Sequence, residues 1–98
     1  MKHRDYYEAI IQLRNPSQEL LNMIKNQFNK RKDVIIVKKV EFDNGVDLYV
    51  SSQRFARALG NKMKRNFKGE LKTSRSLYSV DRQTSKRIYR VTVLFRMA

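Results

Sequence analysis

Apolar and polar residues alternate most regularly in the last third of the chain. Two strand-like runs, residues 70–80 and 86–97, flank the polar turn at 81–85, and this pattern predicts a long antiparallel hairpin with a cationic tip. Because side chains point alternately to the two sides of a strand, the second run has one face that can be buried and one that is half charged. The first face carries Tyr89, Val91, Val93 and Phe95, and the second carries Ile88, Arg90, Thr92, Leu94 and Arg96.

The first third of the chain predicts a strand followed by a helix. Residues 6–14 alternate between apolar and polar types, which is typical of a strand with one buried side. Asn15 offers an N-cap and Pro16 a first helical residue, so we expect the helix to begin here and to run to about Lys30. The apolar side of the strand is Tyr7, Ala9, Ile11 and Leu13, and the apolar stripe of the helix is Leu20, Leu21, Ile24 and Phe28.

The middle of the chain predicts two strands joined by a tight turn. Residues 34–42 are rich in β-branched side chains, which favours a strand. The sequence Asp43-Asn44-Gly45 favours a turn, because Asn and Gly tolerate the positive φ that hairpin turns require. The third strand follows at 46–50. The residues expected to share one face of the earlier strand, interrupted by Lys38, are Val34, Ile36, Val40 and Phe42.

A second helix is predicted after this hairpin, with an apolar side and a basic side. Ser51 or Ser52 caps its start, it runs to about Asn66, and Gly69 ends it. At about 100° per residue, its residues separate into two stripes. The apolar stripe is Phe55, Ala56, Leu59 and Met63, and the basic stripe is Arg54, Arg57, Asn61, Lys64, Arg65 and Lys68.

The predicted element order is β-α-β-β-α-β-β, which indicates an α+β fold. The most economical architecture has two layers, in which a mostly antiparallel sheet carries both helices on one face. This resembles a ferredoxin-type split βαβ arrangement with an extra strand. The chain of 98 residues is long enough for one core, so we expect residues 1–98 to form a single domain.

The charge of the chain changes the functional interpretation more than any motif does. The chain has 22 Lys and Arg against 9 Asp and Glu, a net charge of +13. Residues 1–49 hold 9 basic and 7 acidic side chains, whereas residues 50–98 hold 13 basic and 2 acidic ones. Such an excess favours a polyanionic partner, and its distribution places the binding surface mostly in the second half.

The composition excludes cysteine-dependent structure and argues against a membrane or secreted protein. The chain has no cysteine, so it has neither disulfides nor a thiolate zinc site, which agrees with a reducing cytoplasmic compartment. No apolar run approaches the eighteen or so residues that span a bilayer, and no signal-peptide core follows the N-terminus. We therefore expect no membrane partner, no cofactor and no small-molecule substrate.

Cations of the second helix and the hairpin are the best candidates for binding nucleic acid. Phosphates require positive side chains on a shared surface, and their neutralisation releases counterions. An ordinary solvated surface would explain any single one of these residues, but not the excess as a whole. No helix-turn-helix pattern is present, so RNA is favoured over DNA. The candidates are Arg54, Arg57, Lys64, Arg65, Lys68, Arg75, Arg82, Lys86, Arg87 and Arg90.

Two tyrosines suggest a different way of binding RNA. Tyr6 and Tyr49 are predicted to lie on the sheet face away from the helices, where aromatic rings could stack on unpaired bases as they do in an RRM. The third strand, however, lacks the aromatic pair and the basic start of the RRM signature. A solvated strand position explains both tyrosines equally simply.

Catalysis has little support in the sequence. Glu41, Asp43 and Asp47 lie around the tight turn and could suggest a two-metal nuclease, which needs convergent carboxylates. The turn itself accounts for Asp43, and solvated strand positions account for the other two. His3 is the one histidine, and no Ser/His/Asp or Cys/His set can be assembled. We expect no catalytic residue, no metal site and no enzymatic activity.

Four segments of the chain are similar to those of a known family. They are GVDLY at 45–49, FAR at 55–57, YYEAIIQLR at 6–14 and, most specifically, DRQTSKRIYRVTV at 81–93. In these segments the chain resembles the nonsense-mediated-decay-three family, the export adaptors of the large ribosomal subunit and their archaeal counterparts. The chain lacks the paired Cys-x-x-Cys motifs and the leucine-rich export signal of that family. The resemblance therefore implies a central domain of a longer protein or a compact archaeal-type form.

The resemblance implies a function in maturation or export of the large ribosomal subunit. The expected partners are the subunit and its ribosomal RNA, in the cytoplasm, or in nucleus and cytoplasm if the source is a eukaryote. Ribosomal proteins or other domains of a parent chain are alternative partners for a protein-interaction module. Such a module would use the apolar residues on the sheet face away from the helices, Ile10, Ile88 and Leu94. A single-stranded RNA binder of the RRM type is the third possibility.

Overall fold

The computed structural model describes residues 7–80, 83–85 and 87–98, with all side chains in these ranges except those of 78–80. Within these residues, two helices and five strands follow one another in the order that the sequence predicts. They are β1 (Ala9–Arg14), α1 (Gln18–Lys30), β2 (Ile36–Phe42), β3 (Gly45–Val50), α2 (Gln53–Asn66), β4 (Gly69–Val80) and β5 (Arg87–Met97). Of the predicted turn at 81–85, residues 83–85 are described, whereas Asp81 and Arg82, like the neighbouring Lys86, lie outside the described residues.

The strands form one mixed sheet in the order β2-β3-β1-β5-β4. Three neighbouring pairs are antiparallel, whereas β1 and β5 are parallel. After α2, the chain runs along the sheet edge as β4 and turns back to place β5 beside β1. The predicted α+β class and the mostly antiparallel sheet are confirmed, and all five strands belong to one sheet. The two-layer description and the closer likeness to a ferredoxin-type fold stay predictions.

The core lies on one face of the sheet, which we call the inner face. This face includes Ala9, Ile11 and Leu13 of β1, which are fully buried. The predicted alternation in β5 is confirmed, because Val91, Val93 and Phe95 are also fully buried. Burial of each such side chain contributes about 1.5–3 kcal/mol. The helix residues in the same cluster are Leu20, Ile24, Phe55, Ala56, Leu59 and Met63.

The two helices begin at serine caps. The hydroxyl oxygen of Ser52 accepts a hydrogen bond from the Phe55 amide at 3.1 Å, as one of the two predicted caps requires. At α1, the prediction of Asn15 as the cap is wrong, because the Ser17 hydroxyl accepts from the Leu20 amide at 3.2 Å. Asn15 instead adopts a positive φ of 52°, and its backbone N–H donates a hydrogen bond to the backbone carbonyl of Asn44 at 2.7 Å. Asparagine tolerates this left-handed conformation, so it serves the connection before the helix.

Two glycines have functions that differ from the predicted ones. Neither Gly45 nor Gly69 has a positive φ. A Cβ at Gly45 would collide with the carbonyl oxygen of Leu13 on the neighbouring strand. Helix α2 ends before Gly69, with Phe67 as its C-cap, and a Cβ at Gly69 would lie 2.7 Å from the Phe95 ring. Both glycines therefore permit close approach between strands.

A bulge in β2 changes which of its residues share a face. Directly opposed residues of antiparallel strands lie on the same side of the sheet. Ile36 is paired with Val50 of the inner face, whereas Lys38 is paired with Tyr49 on the other side, and the register shifts between them. The prediction that Ile36 shares a face with Val40 and Phe42 is therefore wrong, because the bulge adds one residue to the strand.

Substitution of Gly45 by alanine is expected to lower the free energy of unfolding by about 1–3 kcal/mol, because the new methyl group meets a backbone atom that no rotamer change can move. Chemical denaturation measures this decrease. The matched control is Asn44→Ala in the exposed turn, for which we expect a change within about 0.5 kcal/mol. Equal stability of the two variants would contradict the close approach of Gly45 to β1.

Candidate nucleic-acid interface

Helix α2 exposes a continuous stripe of cations opposite its buried side. Their positions follow from helical spacing, since the apolar residues that hold the helix against the sheet leave the remaining side to solvent. None of these cations takes part in an ion pair within the described residues, where the pairs are found elsewhere. The stripe consists of Arg54, Arg57, Lys64 and Arg65 on the helix and Lys68 two residues after its end, all exposed.

The long hairpin continues the same side of the molecule past the start of α2. The backbone N–H of Gln53 donates a hydrogen bond to the Glu8 carboxylate at 3.1 Å. The backbone carbonyl of Glu8 in turn accepts a hydrogen bond from the Val91 N–H at 3.0 Å. The first turn of α2 therefore lies level with Val91. Strand residues beyond this level on the inner face, including Leu77 and Tyr89, have no helix of the described chain above them.

Three of the predicted hairpin cations are described, and they have different surroundings. Arg75 and Arg87 are exposed, and the Arg75 guanidinium carbon lies 4.5 Å from the centroid of the Tyr89 ring. Arg90 is half-buried and points to the opposite side of the sheet from α2, which we call the outer face. Arg75 therefore lies on the face of the sheet that carries α2, whereas Arg90 lies on the opposite face. Arg82 and Lys86 lie outside the described residues.

Arg90 is held by Tyr7. Its Nε donates to the Tyr7 carbonyl and one terminal nitrogen donates to the Tyr7 hydroxyl, both at 3.1 Å. The guanidinium carbon lies 3.8 Å from the centroid of the same ring. These contacts fix the segment before β1 against the sheet.

The tyrosine predicted to stack on bases also has protein neighbours. Tyr49 lies on the outer face as predicted and meets Tyr7 edge to face, with ring centroids 4.9 Å apart and planes at 88°. The Lys38 ammonium lies 5.5 Å from the Tyr49 ring centroid. Tyr6 lies outside the described residues.

The three carboxylates around the β2–β3 turn do not converge. Register places Glu41 opposite Val46 on the inner face and Asp47 opposite Val40 on the outer face. Asp47 is buried and accepts from Arg14 at 2.8 Å, while Glu41 pairs with Lys39 at 3.1 Å. Within the part of the chain that the structure describes, no group of acidic or histidine side chains could hold a metal ion.

Two features of the surface were missed at the sequence level. One is the stack of Arg75 on Tyr89, which depends on the exact register of β4 against β5. The other is an apolar edge of the sheet, where Ile35 is 61% and Phe42 48% exposed. β2 is an edge strand of the sheet, so among the described residues no further strand lies beside it, and the residue pattern alone does not show which strands are at the edge.

Comparison with known protein families gives a match over almost the whole chain. A family model described as NMD3, second domain, matches residues 6–97. The matched region includes all five strands, both helices, the cationic stripe and the hairpin. No curated protein matches the chain. Among the described residues, neither helix has the length and apolar character needed to cross a membrane.

Substitution of Asp47 by alanine is expected to destabilise the fold by about 1–3 kcal/mol. The Arg14 guanidinium group, which is mostly buried, would lose its ion-pair partner. The matched control is Glu41→Ala, which removes an exposed ion pair worth no more than about 1 kcal/mol. Thermal and chemical unfolding of both variants measure the difference. A metal-dependent function of these carboxylates would instead require both variants to lose a metal-dependent activity while keeping their stability.

Proposed function

The chain belongs to the NMD3 family of ribosome export adaptors, and from this premise we propose that it is a non-enzymatic domain that binds the large ribosomal subunit. The bound groups are phosphates of ribosomal RNA. The observation that carries the proposal is the exposed face of α2, whose cations have no anionic partner within the described chain. A cytoplasmic location, and a nuclear one in a eukaryote, belongs to the same proposal.

The stripe has a length suited to a nucleic-acid backbone. From Arg54 to Arg65 it extends for roughly 16 Å at a rise of about 1.5 Å per residue, which is long enough to follow several successive phosphates. Flexible cationic side chains neutralise phosphates without fixing sequence, so they position the domain on RNA. Release of counterions supplies most of the driving force.

The hairpin enlarges this surface. Arg75 and Arg87 are exposed on strands that extend past α2. Arg82 and Lys86, near the tip, join the set on sequence grounds. Arg90 could reach phosphate only by leaving Tyr7, so we place it outside the set.

Docking of protein on the outer face is the second candidate function. Ile10, Ile88 and Leu94 lie on this face and are only half-buried, and neither helix covers them. Their apolar surface suits another domain of a parent chain or a ribosomal protein. Binding of single-stranded RNA to the same face, as in an RRM, has less support, because Tyr49 already contacts Tyr7 and Lys38.

Reversal of two stripe cations, Arg54→Glu with Arg57→Glu, is expected to weaken binding to large ribosomal subunits. Both residues lie near the N-terminus of α2, where glutamate is favoured by the helix dipole, so the fold should be retained. Co-sedimentation should show that wild-type binding falls steeply between about 50 and 200 mM salt. In the variant, the slope of log affinity against log salt should decrease by about one for each phosphate that the domain no longer neutralises.

The control for net charge is Lys25→Glu with Lys32→Glu, which makes the same change on exposed residues of α1 and the connection that follows it. The affinity of this control should decrease much less. Equal decreases in both double variants would show that only total charge matters. Binding that is insensitive to salt, or no binding, would refute the proposal.

Replacement of Ile10, Ile88 and Leu94 by serine tests the second candidate. If the outer face docks protein, this variant should no longer associate with large subunits, while its affinity for isolated RNA changes less than about twofold. Circular dichroism must first show that it is folded, because these residues are partly buried. A parallel decrease in RNA affinity would argue against protein docking.

A further inference from the structure

Arg75 and Tyr89 form a stacked pair on the inner face of the hairpin. In the ladder between β4 and β5, Arg75 is opposite Val91 and Leu77 is opposite Tyr89. Arg75 and Tyr89 are therefore diagonal neighbours on one face, close enough for long side chains to meet. The guanidinium carbon lies 4.5 Å from the ring centroid, within the range of a cation–π contact.

Arg75 of this pair is accessible to solvent within the part of the chain that the structure describes. Arg75 is exposed, and it makes no hydrogen bond or ion pair within the described chain. The pair lies at or beyond the level where α2 begins. The guanidinium carbon thus lies over the ring, and the Arg75 side chain stays accessible to solvent among the described residues.

A second Arg–Tyr stack in the same molecule shows the contrast. Arg90 also lies over a tyrosine ring, but it donates two hydrogen bonds to that same residue, Tyr7. It is half-buried, and its contacts are explained by the need to hold the segment before β1. No such structural need explains the stack of Arg75 on Tyr89.

An exposed apolar residue adjoins the open stack. Leu77, directly opposite Tyr89, is 53% exposed. Leu77 and the Tyr89 ring together form an apolar surface beside the Arg75 guanidinium group. The first cations of the α2 stripe, Arg54 and Arg57, lie at the end of the helix nearest to it. The surface therefore combines a flat stacking group with neighbouring cations.

We propose that Arg75 and Tyr89 form a platform on which an unpaired RNA base stacks while its flanking phosphates contact the α2 stripe. Unpaired bases stack on aromatic rings and on arginine planes, and the guanidinium group is already ordered by the ring before RNA arrives. Bases within a duplex are covered by their neighbours and offer no such face. The platform rests on the proposed phosphate binding and adds selection for unpaired nucleotides.

The test compares two ten-nucleotide probes of equal charge, a single-stranded RNA and an abasic oligonucleotide with the same number of phosphates. Fluorescence anisotropy measures the affinity of the 98-residue chain for each. We expect the wild-type chain to bind the RNA at least about fivefold more tightly than the abasic probe. Arg75→Lys keeps the charge but removes the plane, so this ratio should fall close to one while affinity for the abasic probe is kept.

Three further variants separate stacking from charge and from folding. Arg57→Lys makes the same substitution where no ring is involved and should keep the ratio. Tyr89→Leu should abolish the preference for RNA, and Tyr89→Phe, which retains a ring, should keep it. Thermal melting followed by circular dichroism shows which variants are folded.

The results distinguish failure of the platform from failure of phosphate binding. If Arg75→Lys and Tyr89→Leu leave the ratio unchanged, or if Arg75→Lys weakens both probes equally, Arg75 is at most a phosphate contact and the platform is wrong. The proposed function survives either outcome. If the wild-type chain binds neither probe, both proposals are refuted together.

Discussion

The fold depends on the pairing of β1 with strands on both of its sides. The β2–β3 and β4–β5 pairs are hairpins, and an isolated hairpin is marginally stable at best in water. β1 joins them, since it pairs antiparallel with β3 and parallel with β5. Its inward residues Ala9, Ile11 and Leu13 are completely buried at this junction. The residue at position 45 must be glycine for the same reason, because a Cβ there would collide with the Leu13 carbonyl oxygen of β1.

This junction also determines where the candidate interface lies. Helix α2 connects β3 on one side of β1 to β4 at the far edge, so it must cross the inner face above β1 and β5. Its apolar side, including Phe55 and Met63, fills the core, and its cations therefore point outward. The hairpin that follows is longer than the helix can cover. A cationic helix and an uncovered strand surface thus meet on one side of the molecule.

The sequence predicted correctly those features that depend on residues close together in the chain. The alternation in β5, the apolar stripe of α2 and the Ser52 cap are set by residues near one another in sequence. The errors arose where contacts between distant segments decide the structure. Asn15 is recruited by the Asn44 carbonyl, Gly45 and Gly69 serve close approaches between strands, and the bulge in β2 adjusts pairing with β3. The stack of Arg75 on Tyr89 depends on hairpin register, which single-strand patterns do not contain.

The cations of α2, which form no ion pair within the described residues, repel one another and so lower the stability of the helix. Like charges three or four positions apart on the helix, such as Arg54 with Arg57, oppose helix formation by about 0.2–0.5 kcal/mol per pair. Added salt screens this repulsion over a Debye length of about 8–10 Å, so it stabilises the unbound fold while it weakens binding to a polyanion. A bound polyanion relieves the same repulsion. Folding and binding of this domain thus respond to ionic strength in opposite directions.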